Sequence, residues 1–241
     1  MPFKLENAMN YKRILIKLSG EVFAGPKGEN LDTKMLMQIA QALKMLKDDG
    51  KQIAVVVGAG NFIRGRSIKD IVRSRADSMG MLATVINSIA LMDALEKTGL
   101  DAEVYSAISM SEICKTYRRD DAVRDLGNGI ITILAGGTGN PYYSTDMAAV
   151  LRAIEINADV ILFAKNVDGV YDKDPKEHKD AVKYDKVTYS TILSRQLNVI
   201  DMAAAVMCNE FSVKSVLFAL KKPMNIVEAA RGVNIGTIIE K

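Results

Sequence analysis

A lysine inside an otherwise apolar run is the first residue of the sequence that could do chemistry. Lys17 lies in Arg13–Leu18 (RILIKL), which we predict to be a buried strand, and Ser19 and Gly20 follow it directly. Burying an ammonium group is costly unless an anion compensates its charge, and the turn after the strand offers backbone amides that can bind one. We therefore interpret Lys17 as part of an anion site. The alternative is a lysine on an edge strand that faces water.

A glycine-rich segment, Gly58–Gly65 (GAGNFIRG), follows a second predicted strand. It matches the dinucleotide-binding fingerprint poorly, because its third glycine comes one residue late and Asp77, about twenty residues on, lies inside a predicted helix. We interpret the segment as a backbone nest for an anion with Arg64 beside it. A nicotinamide-dependent dehydrogenase is disfavoured.

Two further predicted strands end in polar turns. Gly136–Asp146 (GGTGNPYYSTD) runs into a predicted helix, an arrangement that favours phosphate or a developing negative charge. The alternative, a structural turn with a helix cap, explains Ser144 or Thr145 but not the eight residues before them. Val167–Tyr171 (VDGVY), with Asp174 soon after it, is a hairpin signal. No GxxxxGK[ST] motif occurs, so a nucleotide kinase with this sequence is not a P-loop kinase.

The inventory of reactive side chains excludes several classes of enzyme. The single histidine, His178, lies in a polar, charged run, which disfavours a histidine base or a histidine-based zinc hydrolase. Cys114 and Cys208 are far apart and have no CxxC partner, so we interpret them as buried thiols in a reducing compartment. Lysine, arginine, carboxylates and backbone amides remain, and that set suits phosphoryl transfer.

The charge pattern gives little indication of nucleic-acid binding. The net charge of +3 is small. A basic cluster is present, and it consists of Arg64, Arg66, Lys69, Arg73 and Arg75. A solvated helix face is the common explanation for such a run and an anion-recruiting rim is the functional one. RNA binding is disfavoured because no aromatic residues interleave with the charges.

Two observations predict a cytoplasmic protein without a membrane segment. Residues 1–13 contain no apolar stretch typical of a signal peptide. The longest nearly uncharged run, Met79–Met92, is shorter than the ~18 residues that a membrane span requires. We interpret this run as a buried helix.

The spacing of apolar residues predicts strands that alternate with helices. The predicted strands are Arg13–Leu18, Ile53–Val57, Ala102–Ala107, Ile130–Ala135, Val160–Ala164 and Thr237–Glu240, and Val213–Ala219 is either a strand or a helix end. The predicted helices are Thr33–Asp49, Ala76–Lys97, Ser144–Asn157, Tyr189–Asn198, Asp201–Phe211 and Asn225–Ala230, and Val170–Val187 is predicted to be a hairpin or lid. Such alternation predicts an α/β fold with a mostly parallel sheet covered on both faces. No linker divides residues 1–241, so we expect a single domain.

These segments, in this order, resemble the bacterial uridylate kinases of the amino-acid-kinase superfamily. The shared motifs in residues 11–175 are YKRILIKLSGE, VVVGAGNFIRG, DSMGMLATVIN, GTGNPYYSTDMAA and ADVILFAKNVDGVYDKDP, and LNVIDMAAA and GTIIE extend the likeness to almost the whole chain. DSMGMLATVIN and GTGNPYYSTD are specific to the uridylate branch, whereas KLSG and VDGVY are shared more broadly. The resemblance implies the amino-acid-kinase fold, a three-layer αβα sandwich with a mostly parallel open central sheet. It also implies transfer of the γ-phosphoryl group of ATP to UMP, with Mg²⁺ held largely through ATP oxygens and water rather than by protein ligands.

The resemblance further implies roles for individual residues. The catalytic residues would be Lys17, Arg64 and Asp146, with Asp146 organising the cationic side chains. The ATP site would comprise Lys17, Leu18, Ser19, Gly20, Gly60, Arg64, Asn166, Tyr171 and Asp174. The UMP site would comprise Ala59, Asp77, Thr138, Gly139, Asn140, Pro141, Tyr142, Tyr143, Ser144 and Thr145.

Three details of this correspondence stay open. Ala59 stands where the family usually has another glycine that approaches UMP, a small departure because alanine keeps the amide but restricts φ. Either Lys165 or Asn166 would face adenine. Asp201 matches a second acidic residue of the family, without an assigned role.

The resemblance also implies regulation and assembly. GTP-activated relatives place basic residues near the turn and strand that follow the long helix, where this sequence has Met92, Glu96 and Glu103, with Ile130 later. We expect weak or no activation by GTP and inhibition by UTP through the UMP site. A homohexamer built on dimers is implied, with Met79–Met92 either at an interface or entirely in the core.

Two other functions remain as alternatives. Another kinase of the superfamily, acting on a carboxylate or a carbamate, would keep the KLSG and VDGVY motifs but not GTGNPYYSTD. A non-enzymatic nucleotide sensor would bind nucleotides tightly without turnover. The presence of both Lys17 and Asp146 argues against the sensor.

Overall fold

The computed structural model describes residues 11–24, 30–63 and 70–241. Its strands in chain order are β1 (Arg13–Leu18), β2 (Gln52–Val57), β3 (Ala102–Ser106), β4 (Lys115–Thr116), β5 (Ile131–Ala135), β6 (Val160–Lys165), β7 (Val170–Tyr171), β8 (Lys183–Tyr184), β9 (Lys186–Thr188), β10 (Ser215–Ala219) and β11 (Gly236–Glu240). Its α-helices are α1 (Thr33–Asp48), α2 (Arg73–Lys97), α3 (Arg119–Gly127), α4 (Thr145–Glu155), α5 (Tyr189–Ser194), α6 (Met202–Glu210) and α7 (Met224–Ala230), and a short 3-10 helix spans Gly20–Ala24.

Nine of these strands form one sheet in the order β4-β3-β5-β2-β1-β6-β10-β11-β9. Every neighbouring pair is parallel except β10 and β11, which are antiparallel. The strands β5, β2, β1 and β6 are consecutive neighbours at the centre of the sheet. Because they are parallel, the four polar turns that follow them lie along the same edge, where α/β sheets bind ligands.

Helices cover both faces of the sheet, and each face has its own hydrophobic core. One core joins α1, α2 and α7 to alternate residues of the strands, among them Ile14 and Ile16 of β1. The other joins α3, α4, α5 and α6 to the opposite residues, among them Leu15 of β1. The central strands are therefore buried on both sides, which explains why their sequences are almost continuously apolar. This arrangement confirms the three-layer αβα sandwich with a mostly parallel sheet.

Local sequence accounts for the boundaries of the best-defined helices. The N-cap of α1 is Asp32, whose carboxylate accepts hydrogen bonds from the backbone N–H groups of Lys34 and Met35, and Gly50 adopts a φ of 75° just after the helix ends. The N-cap of α4 is Ser144, whose hydroxyl accepts a hydrogen bond from the N–H of Met147 at 3.1 Å. These caps confirm the predicted starts of both helices.

The predicted elements are present, with some changes at their ends. Ser215–Ala219 is a strand, which decides the ambiguous segment. The predicted hairpin forms from β7 and β8, but its last residues belong to β9 at the edge of the main sheet. Tyr189–Asn198 is helical only to Ser194. The polar helix predicted between Ala102–Ala107 and Ile130–Ala135 is α3. The predictions omitted β4 and the 3-10 helix, which are too short to show an apolar period.

The helix α2 starts at Arg73 and has 25 residues, so it extends beyond the nearly uncharged run Met79–Met92 at both ends. Among the described residues, α2 is the one helix that is long enough and apolar enough to cross a membrane, judged by length and composition alone. Its contacts are those of a core helix: one side packs against α1, β3 and β5. That side carries the buried polar residues Thr84, Asn87 and Ser88.

Candidate active site

A carboxylate held between two lysines lies at the centre of the ligand-binding edge. Lys17 Nζ is 2.9 Å from Asp146 Oδ1, and Lys165 Nζ is 2.6 Å from Asp146 Oδ2. The side chains of Lys17 and Asp146 are only 9% and 10% exposed. The anion that compensates the buried Lys17 is thus, in the first instance, a side chain of the protein. The cluster carries two positive charges against one negative charge.

The electrostatics of the cluster follow from its burial and its composition. Burial opposes ionisation of Asp146, but the charges of Lys17 and Lys165 outweigh it and hold the pKa of Asp146 well below its usual range. Burial, together with the charge of Lys17, lowers the pKa of Lys165, and Asp146 counteracts this only in part. The excess positive charge in a water-poor site favours an incoming anion such as a phosphate.

The three residues come from three elements that the fold brings together. Lys17 is near the end of β1, and Asp146 is in the first turn of α4, where a carboxylate is favoured by the helix dipole. The register of β1 and β6 pairs Leu18 with Ala164, so Lys165 follows beside the turn after β1. Lys165 also donates a hydrogen bond of 2.6 Å to the carbonyl oxygen of Val199.

Lys165 is a site residue to which the sequence analysis assigned no catalytic role. The sequence alone allowed either Lys165 or Asn166 to face adenine; here Lys165 points to Asp146, and Asn166 donates a hydrogen bond to Glu21 Oε2 at 2.5 Å. The signal that could have identified it is the same as for Lys17: a lysine ends an apolar run, VILFA, and burying it requires a compensating charge.

The turns after β1 and β2 are in direct backbone contact. A Cβ atom on Gly20 would lie 2.3 Å from the backbone nitrogen of Gly60 and 2.7 Å from the carbonyl oxygen of Gly58. The N–H of Gly58 donates a hydrogen bond to the carbonyl of Leu18 at 2.8 Å. Glycine is therefore required at position 20 for the two turns to approach each other. Ser19 lies half-buried between β1 and this contact.

Buried polar residues of α2 hold the glycine turns in place. Asn87, which is fully buried, donates hydrogen bonds to the carbonyl of Gly58 and to Asn61 Oδ1, both at 2.8 Å, and accepts one from Asn61 Nδ2 at 2.9 Å. Thr84 Oγ1 accepts a hydrogen bond from the N–H of Gly136 at 2.9 Å. Neither residue was predicted to be functional, although both lie in the DSMGMLATVIN motif and interrupt an apolar helix.

A cavity of about 180 Å³ opens between α2, the turn after β2 and the turn after β5. It is lined by Ala59, Ile63, Ala76, Asp77, Gly80, Met81, Thr84, Gly137, Thr138, Asn140, Tyr143 and Thr145. Six of these were predicted for the UMP site: Ala59, Asp77, Thr138, Asn140, Tyr143 and Thr145. The cavity is adjacent to the charged cluster, since Thr145 precedes Asp146 in the chain.

The other residues predicted for the UMP site lie in the same loop but do not line the cavity. Gly139 has a φ of 82° and packs against Ala107, where a Cβ would be 3.2 Å from a carbonyl oxygen. Ser144 caps α4, and Pro141 is half-buried. Tyr142 has an exposed ring, and its N–H donates a hydrogen bond to Asp77 Oδ2 at 2.8 Å. Asp77 thus joins the start of α2 to this loop.

The remaining residues predicted for the ATP site lie at and beyond the end of β6. The Tyr171 hydroxyl donates a hydrogen bond to Asp168 at 3.0 Å. Asp174 is exposed at the hairpin tip, where its carboxylate accepts a hydrogen bond from the N–H of Lys176. Arg64, predicted to be catalytic, lies outside the described residues, as do Arg66 and Lys69 of the basic cluster.

Asp201, whose role the sequence left open, is the N-cap of α6. Its carboxylate accepts hydrogen bonds from the N–H groups of Ala203 and Ala204. It also lines a second depression, of about 530 Å³, together with Asp146 and Lys165. Asp146 lines this depression, whereas its neighbour in the chain, Thr145, lines the first cavity.

No group of three or more His, Cys, Asp or Glu residues that could hold a metal ion occurs in the described ranges 11–24, 30–63 and 70–241. A divalent ion at this edge would therefore need ligands from a bound phosphate group and from water, which is usual for Mg²⁺. This composition of the site fits a metal that arrives with a nucleotide.

Comparisons with known proteins agree with this geometry. A sequence model of the amino acid kinase family matches residues 12–219. The structure is similar to that of the UMP kinase from Bacillus anthracis, with 37% sequence identity, a TM-score of 0.91, and coverage of 95% of this chain and 96% of that one. It is similar to the UMP kinase from Ureaplasma parvum, with 33% identity, a TM-score of 0.91, and coverage of 97% and 100%.

A more distant match is the uridylate kinase from Archaeoglobus fulgidus, with 28% identity, a TM-score of 0.71, and coverage of 94% of this chain and 99% of that one. All three matches extend over nearly the full length of both chains. The chain belongs to the amino acid kinase family, and the resemblance of its motifs to the bacterial uridylate kinases of that family is confirmed.

Proposed function

We propose that this protein is a UMP kinase, which transfers the γ-phosphoryl group of ATP to UMP and gives ADP and UDP. The observation that carries the proposal is the buried Lys17–Asp146–Lys165 cluster beside a cavity lined by residues of the GTGNPYYSTD motif. The similarity to two proteins described as UMP kinases over more than nine-tenths of the chain supports UMP as the acceptor. The reaction would serve pyrimidine nucleotide biosynthesis by supplying UDP for UTP and CTP.

The residues of the cluster act by placing charge rather than by forming a covalent intermediate. In phosphoryl transfer, negative charge spreads over the oxygens of the moving group. Lys17 and Lys165 present ammonium groups from two adjacent strands, and Asp146 fixes both of them. Mg²⁺, held through ATP oxygens and water, would supply further neutralisation of phosphate charge. The N-terminus of α4 adds backbone N–H groups at the same point.

The two substrates occupy the two sides of Asp146 in this proposal. UMP binds in the cavity, with Asp77 on the ribose and the loop Thr138–Thr145 around the base and the phosphate. ATP binds along the turns that contain Lys17, Ser19, Gly20 and Gly60 and extends toward Asn166, Tyr171 and Asp174. Arg64 belongs to the phosphate-binding set by its place in the motif.

The first experiment is an ADP-release assay with ATP, Mg²⁺ and either UMP or CMP. We expect turnover on UMP and little on CMP. Lys17→Ala should lower kcat on the order of 10²-fold to 10³-fold, because one preorganised charge that faces the moving phosphoryl group is lost. Lys186→Ala is the matched control: its side chain is 61% exposed and pairs with Glu240 at the far edge of the sheet, so kcat should be unchanged.

The possible outcomes of this assay separate the alternatives. If neither nucleotide is phosphorylated, the same assay is repeated with carbamate and an acylated amino acid as acceptors, and turnover on one of these would establish a different kinase of the same family. Tight binding of UMP without turnover would establish a nucleotide sensor. Equal activity of wild type and Lys17→Ala would refute the proposed role of the cluster.

Regulation is proposed to differ from that of GTP-activated relatives. Glu103 on β3 pairs with Lys115 at 2.7 Å, and Glu96 is exposed at the end of α2. Carboxylates at these positions repel a triphosphate. The nearby cation, Lys115, is already paired with Glu103. GTP should therefore leave the rate at subsaturating ATP nearly unchanged, whereas UTP should inhibit in competition with UMP. A several-fold activation by GTP would contradict this.

Self-association is proposed to use an apolar stripe on α2. One face of the helix carries four apolar side chains that are 36–50% exposed, namely those of Met79, Leu82, Ile86 and Ile89. Exposing a continuous apolar surface of this kind to water is unfavourable. A second copy of the same stripe would bury it in a two-fold contact. This contact supplies the dimers from which the implied homohexamer is built.

Light scattering of Leu82→Asp tests this contact. We expect a smaller particle than wild type, because the variant places a charge in the apolar contact. Val206→Asp, at a 52% exposed apolar residue on α6, is the control and should keep the wild-type mass. An unchanged mass for Leu82→Asp would contradict the proposed interface.

Cytoplasmic localisation stays a prediction from the sequence.

A further inference from the structure

We propose that Arg73 is a positioning residue that sets the preference of the acceptor site for ribose over deoxyribose. It does so by fixing the carboxylate of Asp77, which in turn holds the backbone of Tyr142. The inference rests on the proposed function, since it names how the UMP site reads the sugar.

The contact between Arg73 and Asp77 constrains the orientation of the carboxylate. Arg73 Nε lies 2.8 Å from both Asp77 oxygens. A single N–H placed between two oxygens fixes the plane of the carboxylate as well as its position. The side chain of Asp77 is only 14% exposed and lines the cavity, whereas that of Arg73 is 37% exposed and is not among the lining residues. Arg73 can therefore orient Asp77 without touching the ligand itself.

Helix stability does not explain this pair. Arg73 is the first residue of α2, where a positive charge is unfavourable next to the helix dipole. The order of the pair, with the cation four residues before the anion, is also the weaker order for a helical ion pair. In addition, α2 begins after Val72 without a side-chain cap. These features weaken the start of the helix, so a role in the adjacent cavity accounts better for Arg73.

Asp77 is connected to the acceptor loop through Tyr142. Tyr142 has a φ of 73°, a left-handed conformation that is unfavourable for a residue with a Cβ. Its N–H donates to Asp77 Oδ2 at 2.8 Å, and the guanidinium carbon of Arg73 lies 5.9 Å from the centre of its ring, within the range of a cation–π contact. These two contacts offset the backbone strain and keep the loop in place beside the cavity.

The remaining hydrogen-bonding capacity of Asp77 determines what it can recognise. An ionised carboxylate has about four acceptor sites. Among the described residues, Arg73 and Tyr142 use one site on Oδ1 and two on Oδ2, which leaves an acceptor site on Oδ1. A sugar hydroxyl can donate to that site, whereas a deoxy carbon cannot. The choice between the two sugars then depends on Arg73 keeping Oδ1 in its present orientation.

The test compares the affinities and kcat/KM values for UMP and dUMP. Wild type should prefer UMP on the order of 10-fold to 100-fold, because the deoxy sugar leaves a buried acceptor unpaired. Arg73→Met should reduce this preference to a few-fold and raise the KM for UMP. Its kcat at saturating UMP should change little, because the ribose contact is the same in the ground state and the transition state. Arg73→Lys should recover part of the preference.

Two further variants make the test specific. Arg75→Met is the matched control, because Arg75 is exposed on the same turn of α2 and makes no ion pair among the described residues; its UMP preference should equal that of wild type. Asp77→Asn should resemble Arg73→Met, and the double variant should add little, since both changes act on one unit. An unchanged preference in Arg73→Met, or an equal loss in Arg75→Met, would overturn the inference.

Hydrogen exchange of the Tyr142 amide tests the connection without any substrate. We expect faster exchange in Arg73→Met and in Asp77→Asn than in wild type, because both remove support from the hydrogen bond to Asp77. Equal exchange in all three proteins would refute the connection. Failure of wild type to phosphorylate UMP would instead refute the proposed function, and the ratio of UMP to dUMP affinities would still decide the role of Arg73.

Discussion

Replacing Asp146 by asparagine removes the carboxylate charge that lies between Lys17 and Lys165 while keeping the size of the side chain. At 2.9 Å and 2.6 Å, each ion pair has a gross Coulomb energy of roughly 6 kcal/mol at an effective dielectric constant of about 20. Much of this offsets the cost of burying three charges. The net loss expected from breaking such a buried cluster is about 3–5 kcal/mol of the free energy of unfolding.

The variant should also show a stronger pH dependence of stability in the alkaline range than wild type. Asp146 raises the pKa of Lys165, which burial and Lys17 already lower, so asparagine at position 146 should lower the pKa of Lys165 further. A lysine whose pKa is lower in the folded state destabilises the fold while it is protonated. The stability of Asp146→Asn should therefore rise as the pH increases from the lowered pKa of Lys165 toward about 10.4, the usual pKa of a lysine, and its remaining activity should fall over the same interval as the lysine loses its charge.

In wild type the corresponding linkage involves the carboxylate itself. The pKa of Asp146 is depressed in the folded protein, so its contribution to stability is fully present above the usual pKa of an unfolded aspartate, about 4, and is lost as the pH falls below it. Asp146→Asn lacks this contribution. The difference in stability between the two proteins should therefore shrink on acidification below about pH 4.

Denaturant unfolding and ADP release, each measured across this pH range, test the reasoning. Asp120→Asn is the matched control, because Asp120 is 89% exposed in a surface pair with Arg119 and should change stability by no more than about 1 kcal/mol. The variant Asp146→Asn should lose kcat on the order of 10²-fold or more. Wild-type stability and wild-type kcat in this variant, at any pH in the range, would refute the proposed role of the cluster.

Two further substitutions probe the turns that surround this cluster. Gly20→Ala should abolish most activity and destabilise the fold by a few kcal/mol, because its Cβ would lie 2.3 Å from the backbone nitrogen of Gly60. Gly127→Ala is the control, since a Cβ there meets nothing within 4 Å. In thermal unfolding it should be neutral or stabilising by up to about 1 kcal/mol. Asn87→Leu should cost about 2–4 kcal/mol in denaturant unfolding, since it leaves the carbonyl of Gly58 without its buried donor, and should raise the KM for ATP. Wild-type stability of either Gly20→Ala or Asn87→Leu would contradict the packing described for these turns.

Residue type and local spacing were sufficient to predict the fold class, most of the elements and part of the candidate site. Strands buried on both faces have nearly continuous apolar sequences, and helices repeat their apolar residues every three or four positions, so the α/β class and most element positions could be predicted from local pattern. A lysine in an apolar strand and a glycine turn before a helix predicted anion sites at Lys17 and at Gly136–Asp146. The short elements β4 and β9 were missed because two or three residues carry no period.

The tertiary structure decided which of these local features meet. The order β5-β2-β1-β6 brings four turns from distant parts of the chain to one edge, and no local pattern specifies strand order. That order places Lys165 beside Lys17, Asn87 beneath Gly58 and Tyr142 against Asp77. The energy of each arrangement depends on burial and on distances between residues that are 29 to 148 positions apart in the chain. Such long-range contacts form only when the whole sheet has assembled, and for that reason the charged cluster and the support of the acceptor loop were decided by the fold.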